Sequence, residues 1–127
     1  MAPSVSQEDV VNFSRHVDAL RRALDVDGGT HDIDDVLDKV QRGEAQLWTS
    51  PGAVIVSQIV DAPLARELHF WLAAGELQDV ITLSHRVMDW GRKMGCTRAT
   101  LHGRKGWVRA LAEEGWQQTA VVMGREL

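Results

Sequence analysis

The chain begins with a polar stretch in which apolar residues recur at steps of three and four: Val10, Phe13, Val17, Leu20 and Leu24. That spacing draws one narrow apolar seam along a helix. Ser6, with Asp9 three residues on, supplies a capping-box start. The seam can dock on the domain's own body or on a partner helix, and the first is commoner because lone helices are marginal in water. Asp27-Gly28-Gly29 is a flexible break. Residues 1–27 are therefore read as an N-terminal amphipathic helix and residues 28–127 as the main domain.

Thr30 or Asp32 starts a second helix, whose apolar face is Ile33, Val36, Leu37 and Val40 and whose stop is Gly43. The period then changes. Residues 45–50 and 53–60 are extended runs around Pro51-Gly52, which predicts an antiparallel hairpin. After the Asp61-Ala62-Pro63 turn, residues 66–73 read as a third strand. Strict alternation puts Leu68, Phe70 and Leu72 on one face and Glu67, His69 and Trp71 on the other. A long helix spans 78–93, with an apolar surface wide enough to pack on a sheet and on something else. A strand at 97–102, a short helix at 107–114 and a final strand at 116–124 complete the chain. The long helix has the length of a crossover, so strands 66–73 and 97–102 should be parallel. The fold class is α/β (α+β): a mixed sheet with helices on both faces.

Composition changes this picture little. The 127 residues suit one domain, and 44% hydrophobic with 25% charged residues is ordinary for a soluble protein. The net charge of −4 argues against general nucleic-acid binding. The charge is uneven: six aspartates lie between Asp25 and Asp38, and six basic residues with no acid among them lie between Arg92 and Arg109. Such asymmetry could steer a partner or a polyanion, although a solvated surface of mixed sign is the commoner meaning. The single cysteine, Cys96, excludes an internal disulfide and a cysteine-rich zinc site, and makes a reducing compartment the default. The five histidines are scattered without ligand spacing, so no metal is expected. No apolar run is long enough for a membrane span and no signal sequence is visible, so the protein is not expected to be secreted.

The element order resembles the GNAT fold, that of the GCN5-related N-acetyltransferases. "RELHFWLAAGELQDVITLSHRVMDWGRKMGC" is similar to its central strand, loop and long helix, and "TRATLHGRKGWVRALAEEGW" to its next strand and helix. "LAAGEL", "WGRKMGC" and "GRKGWVRALAEEGW" further resemble the short GNAT-like proteins of tailed phages and prophages. The resemblance implies acetyl-CoA bound at a splay between two parallel strands, here 66–73 and 97–102. It also implies a pyrophosphate on the N–H groups that open the long helix, where unpaired donors and about half a positive charge collect. The residues it assigns there are Gly75, Glu76 and Leu77, with Arg104 and Lys105 reaching the nucleotide phosphates. The family's loop has a leading Arg or Gln and a second glycine. "LAAGELQDV" has neither, and Glu76 and Asp79 place carboxylates where phosphate would approach.

On the catalytic side, Glu67 or His69 could act as base toward an amine, and His102 could come close to His69; a plain polar sheet face is the alternative. The family often uses a tyrosine acid, and this chain has no tyrosine. "GRKGW" at 103–107 has three open readings. It is a tight strand-to-helix turn with Trp107 packed back on the core, or a phosphate contact, or a protein-contact patch of Arg104, Lys105, Trp107 and Arg109.

The weak phosphate loop and the five tryptophans lead to the first expectation: a phage-type GNAT-like domain, degenerate as an acetyltransferase. It would act through protein contacts in virion assembly or as a virion component. Partners would be phage structural or host proteins, an oligomer is open, neither membrane nor nucleic acid is expected, and the location would be host cytoplasm or virion. The rival is an active acetyl-CoA-dependent N-acetyltransferase on a protein or small amine. A third reading is a small regulator that captures a host protein through Phe13, Val17 and Leu20.

Overall fold

A computed structural model describes residues 3–103 and 105–127, without the side chain of Lys105. Arg104 and the Lys105 side chain, both expected at the phosphate or partner contact, lie outside the described residues.

The N-terminal seam is carried by two helices rather than one, α1 (Gln7–Arg15) and α2 (Val17–Val26). The box that starts α1 is as expected: Asp9 N–H donates to Ser6 Oγ at 3.1 Å, and Ser6 N–H donates to Asp9 Oδ2 at 2.9 Å. The break falls at His16, whose N–H donates to Phe13 O, three residues back. That tighter bond ends α1 and lets the chain turn before α2 begins. Phe13, Leu20 and Leu24 remain on one side and are buried, while Val10 is exposed.

Helix α3 (Ile33–Gln41) starts at Asp32, which forms a second reciprocal box with Asp35. Strands β1 (Gln46–Ser50) and β2 (Ala53–Ala62) form the expected hairpin, closing at Ser50↔Ala53 around Pro51-Gly52. Strand β3 (Ala65–Gly75) pairs antiparallel with β2. Helix α4 (Leu77–Lys93) crosses over to β4 (Arg98–Leu101), which runs parallel to β3. The described residues thus form a four-stranded sheet in the order β1-β2-β3-β4. Helix α5 (Lys105–Leu111) and a 3-10 turn, Ala112–Glu114, follow.

Both sheet faces are covered. Phe13, Leu20, Leu24, Ile33 and Val36 from α1–α3 pack against Leu47, Val54, Val56, Leu72 and Ala74. Leu83 and Val87 of α4 pack against Trp48, Ala53, Ile55, Leu68 and Phe70 on the other face. This is why β2 opens with a continuous apolar run, Ala53 to Val56, rather than an alternating one.

Two sequence expectations need correction. Strand β3 does not alternate throughout. Its pairing with β2 jumps from Val56↔Leu72 to Ser57↔Phe70, leaving Trp71 as an extra residue. One extra residue reverses facing, so Leu68 and Phe70 point to α4 whereas Leu72 points to α1–α3. Residues 116–124 form no strand. Trp116 packs edge-on against Phe70 with ring centroids 5.6 Å apart, and beyond it Val121, Val122 and Met123 are exposed. β-branched residues hold an extended conformation only where a neighbour takes their backbone groups, and no described strand lies beside this segment.

Candidate active site

The site is built by a difference in strand length. The parallel pairing of β3 with β4 ends at Phe70↔Leu101, yet β3 continues to Gly75. Beyond Phe70, no described strand covers the β4-facing edge of β3. A cleft of about 240 Å³ opens there. Its walls are Ala73, Ala74 and Gly75 of β3, Leu77 and Val80 of α4, and Trp107 and Ala110 of α5. Short side chains at the strand end leave its backbone within reach. The volume is below the roughly 300–1,000 Å³ of a pocket that encloses a whole ligand. It suits a slender arm whose head lies outside.

Gly75 has two duties. Its φ of +125° is a conformation side chains rarely adopt. A Cβ there would also strike the carbonyl oxygen of Gly52 and lie 2.9 Å from Ala53 Cα. The glycine lets the strand end press against the β1–β2 turn, and it also lines the cleft.

Helix α4 follows at once, with Glu76 as its N-cap. Among the described residues no side chain caps it, in contrast to α1 and α3. Unspent first-turn N–H groups therefore face outward at the cleft's rim, with the positive end of the helix dipole. Glu76 is exposed there. Asp79 is turned elsewhere: a Cβ on Gly52 would lie 2.5 Å from Asp79 Oδ2, so this carboxylate rests on the hairpin turn. It is not among the lining residues. Asp79 therefore opposes an anion less than its sequence position implies.

Trp107 is half-buried and forms the α5 wall of the cleft, while Arg109 is exposed on the same helix. Part of the basic stretch around them is paired, Arg92 with Asp89 at 2.9 Å and Arg98 with Glu67 at 3.1 Å. Phe13 and Leu20 are buried within the chain's own core and Val17 packs half-buried against it, so the N-terminal seam is docked on its own sheet.

At the apex of the split, on the α1–α3 face, stand the polar residues of β3 and β4. Glu67 is held by Arg98. His69 Nδ1 is hydrogen-bonded to Thr100 Oγ1 at 2.9 Å. The His69 and His102 rings meet edge to face, with centroids 5.0 Å apart. Parallel pairing and strand parity bring these two histidines together, as the sequence suggested. Burial lowers the pKa of His69, the charge on His102 lowers it further, and Asp27 and Glu67 partly oppose both. His69 is therefore neutral at pH 7 and can take a proton.

Three further residues at this point carry no local sequence signal. Asp27, the C-cap of α2, accepts a hydrogen bond from Trp71 Nε1 at 3.1 Å and sits 4.0 Å from His102 Nδ1. His31 lies edge-on to Trp71 at 5.1 Å, and Thr100 anchors His69. Among the described residues, no group of three or more His, Cys, Asp or Glu could hold a metal ion. No helix among them is long and apolar enough to cross a membrane.

No family model and no curated protein matches the chain. Solved structures do. A Bacillus halodurans protein, solved as a tetramutant, is 13% identical with a TM-score of 0.72, over 100% of this chain and 98% of that one. Glucosamine-6-phosphate N-acetyltransferase from Arabidopsis thaliana is 13% identical with a TM-score of 0.68, over 99% and 95%. A Trypanosoma brucei acetyltransferase is 12% identical with a TM-score of 0.67, over 98% and 97%. Identities this low speak for the backbone alone, and on that ground the split β3–β4 pair and its crossover helix give this chain the fold of the GNAT acetyltransferases.

Proposed function

We propose that the chain is an acetyl-CoA-dependent N-acetyltransferase. One observation carries this reading: the β3–β4 pairing stops one position beyond His69↔Thr100, at the apex of the split, and the cleft opens along the unpaired end of β3 that follows. A donor arm laid along Ala73–Gly75 would end at that apex. The residues present fit such a donor. The exposed edge of β3 offers backbone hydrogen bonds to the amides of the arm, Trp107 and Val80 offer apolar walls, and the uncapped start of α4 offers N–H groups to a diphosphate. Acetyl-CoA supplies an acetyl thioester, whose transfer makes an N–C bond and breaks a C–S bond, the sulfur leaving as the thiol with the proton that the nitrogen sheds after attack. His69 takes the proton that frees the amine's electron pair, and Thr100 fixes the imidazole. Glu67, bound to Arg98, is the less available base.

The test is calorimetry of acetyl-CoA with the chain, followed by thiol release in the presence of amines. Stoichiometric binding that is lost in Ala73→Phe, with unchanged circular dichroism, is expected. Binding unaffected by the filled cleft would overturn the reading.

A second reading keeps the fold and drops the chemistry: a domain that works through protein contacts. Exposed Val121, Val122 and Met123 favour it, because adjacent apolar residues in the open suit an interface. Its narrower form, a phage protein in virion assembly, rests on the sequence words alone. Removal of residues 117–127 would then abolish self-association or partner capture and leave acetyl-CoA binding absent in both forms.

A further inference from the structure

The end of α2 reaches over the sheet to the place where β3 and β4 part. Asp27 Oδ2 accepts a hydrogen bond from the Trp71 indole at 3.1 Å, and Trp71 is the extra residue of the β3 bulge. The bulge and the carboxylate are thus tied together. Asp27 Oδ1 faces His102 Nδ1 at 4.0 Å, an ion-pair distance. His102 meets His69 at 5.0 Å, and Thr100 holds the far side of His69. Residues 27, 69 and 102 come from three separate elements and converge at one point.

We infer that Asp27 and His102 are positioning residues for His69, and that the three form one proton-accepting centre on the acceptor side of the site. This rests on the transferase reading above. The charged and titratable groups facing His69 are His102 from the β4 end, Glu67 from its own strand and Asp27 from α2. Glu67 is engaged by Arg98. Asp27 is therefore the carboxylate that answers positive charge on the histidine pair. Two imidazolium rings 5.0 Å apart repel, so charge on one ring disfavours charge on the other. When an ammonium acceptor arrives, one proton passes from its nitrogen to His69, which leaves a neutral amine with its electron pair free. Asp27 stabilises the imidazolium so formed, and the indole bond keeps the carboxylate from turning to solvent. His102 offers the proton a route outward, being exposed where His69 is half-buried.

The two positioning groups act on His69 with opposite sign, and this makes the inference testable without turnover. In the whole chain, the imidazole signals are followed by NMR against pH. Asp27→Asn removes an attraction for the protonated ring, so the His69 midpoint falls. His102→Gln removes a like charge, so the midpoint rises. The acid limb of the kcat/KM profile for acetyl transfer moves in the same two directions, and Asp27→Glu brings it back toward the original position. At neutral pH, Asp27→Asn lowers kcat/KM by about tenfold to a hundredfold through misplacement, with acetyl-CoA affinity unchanged. A His69 midpoint and an acid limb that stay put in both variants, while the unaltered chain transfers acetyl groups, overturn this inference alone. Absence of transfer by the unaltered chain overturns the transferase reading and this role with it.

Discussion

Helices α1 and α3 begin in the same way and α4 does not. Ser6–Asp9 and Asp32–Asp35 each close a helix start with two reciprocal hydrogen bonds. Helix α4 starts at Glu76 with no capping side chain among the described residues, beside the cleft. Leaving such donors open costs stability, typically about 1 kcal/mol relative to a good cap. The two closed starts serve the scaffold: Asp9 also accepts from Thr49 Oγ1 at 2.6 Å and ties α1 to β1. The open start lies beside the cleft, at the place the proposed donor's diphosphate would occupy. The contrast separates helix starts closed for the fold from one left open beside the cleft.

The largest effect is expected on the chemistry. His69→Gln should keep the fold and acetyl-CoA binding, and should lower the transfer rate by about 10²–10⁴-fold, the usual range for a positioned base. Because burial and the His102 charge hold the His69 pKa below its ordinary 6.5, the acid limb of the unaltered chain should lie below that pH. A rate unchanged in His69→Gln would return the polar face of β3 to a structural role.

Next in size is Gly75→Ala. The added methyl meets a backbone carbonyl of the hairpin turn, which cannot swing away as a side chain could. A loss of about 3 kcal/mol in urea unfolding is expected. The cleft should suffer too, since Gly75 lines it. Gly75 thus belongs to both sides of the comparison, and a variant as stable as the parent would show that the strand end can retreat.

A smaller effect concerns the closed start of α1. Burial raises the Asp9 pKa, but the Ser6 backbone and Thr49 hydrogen bonds, with Ser6 Oγ and the Arg86 charge, outweigh it, so the pKa is lowered from 3.8. A depressed folded pKa means stability that is present above 3.8 and is lost as pH falls through the folded value. Asp9→Asn should remove that acid-side loss and destabilise the protein at neutral pH by about 1 kcal/mol. Unfolding free energies at pH 7 and pH 3 would reveal both signs.

What the sequence made legible follows from how local each feature is. The Ser6–Asp9 capping box, the Pro51-Gly52 hairpin and the α4 crossover depend on residues close in the chain, and all three stand where periodicity and turn chemistry put them, while the α3 start, open between Thr30 and Asp32, falls at Asp32. The meeting of His69 and His102 could be anticipated because parallel pairing and parity fix it. The bulge at Trp71 could not, since it arises from the register of β2 against β3. Asp27 read only as part of a Gly-rich break; its partners Trp71 and His102 lie on β3 and just past β4. The strand expected at 116–124 failed for the converse reason: local propensity was right for extension, and no described neighbour pairs with it.

The finest test of the contrast is Glu76→Asp. Aspartate is a strong N-cap, because its short carboxylate reaches the N–H groups two and three residues ahead; glutamate is not. The exchange keeps the charge at the rim of the cleft, so any change reflects the donors alone. If the start of α4 is an ordinary helix end, capping it should raise stability by about 0.5–1 kcal/mol and do nothing else. If those N–H groups hold a diphosphate, the same stabilisation should come with weaker acetyl-CoA binding, because the new side chain competes for the donors the ligand needs. A stabilised variant with unchanged affinity would move the anion contact away from α4 and toward the basic residues that precede α5.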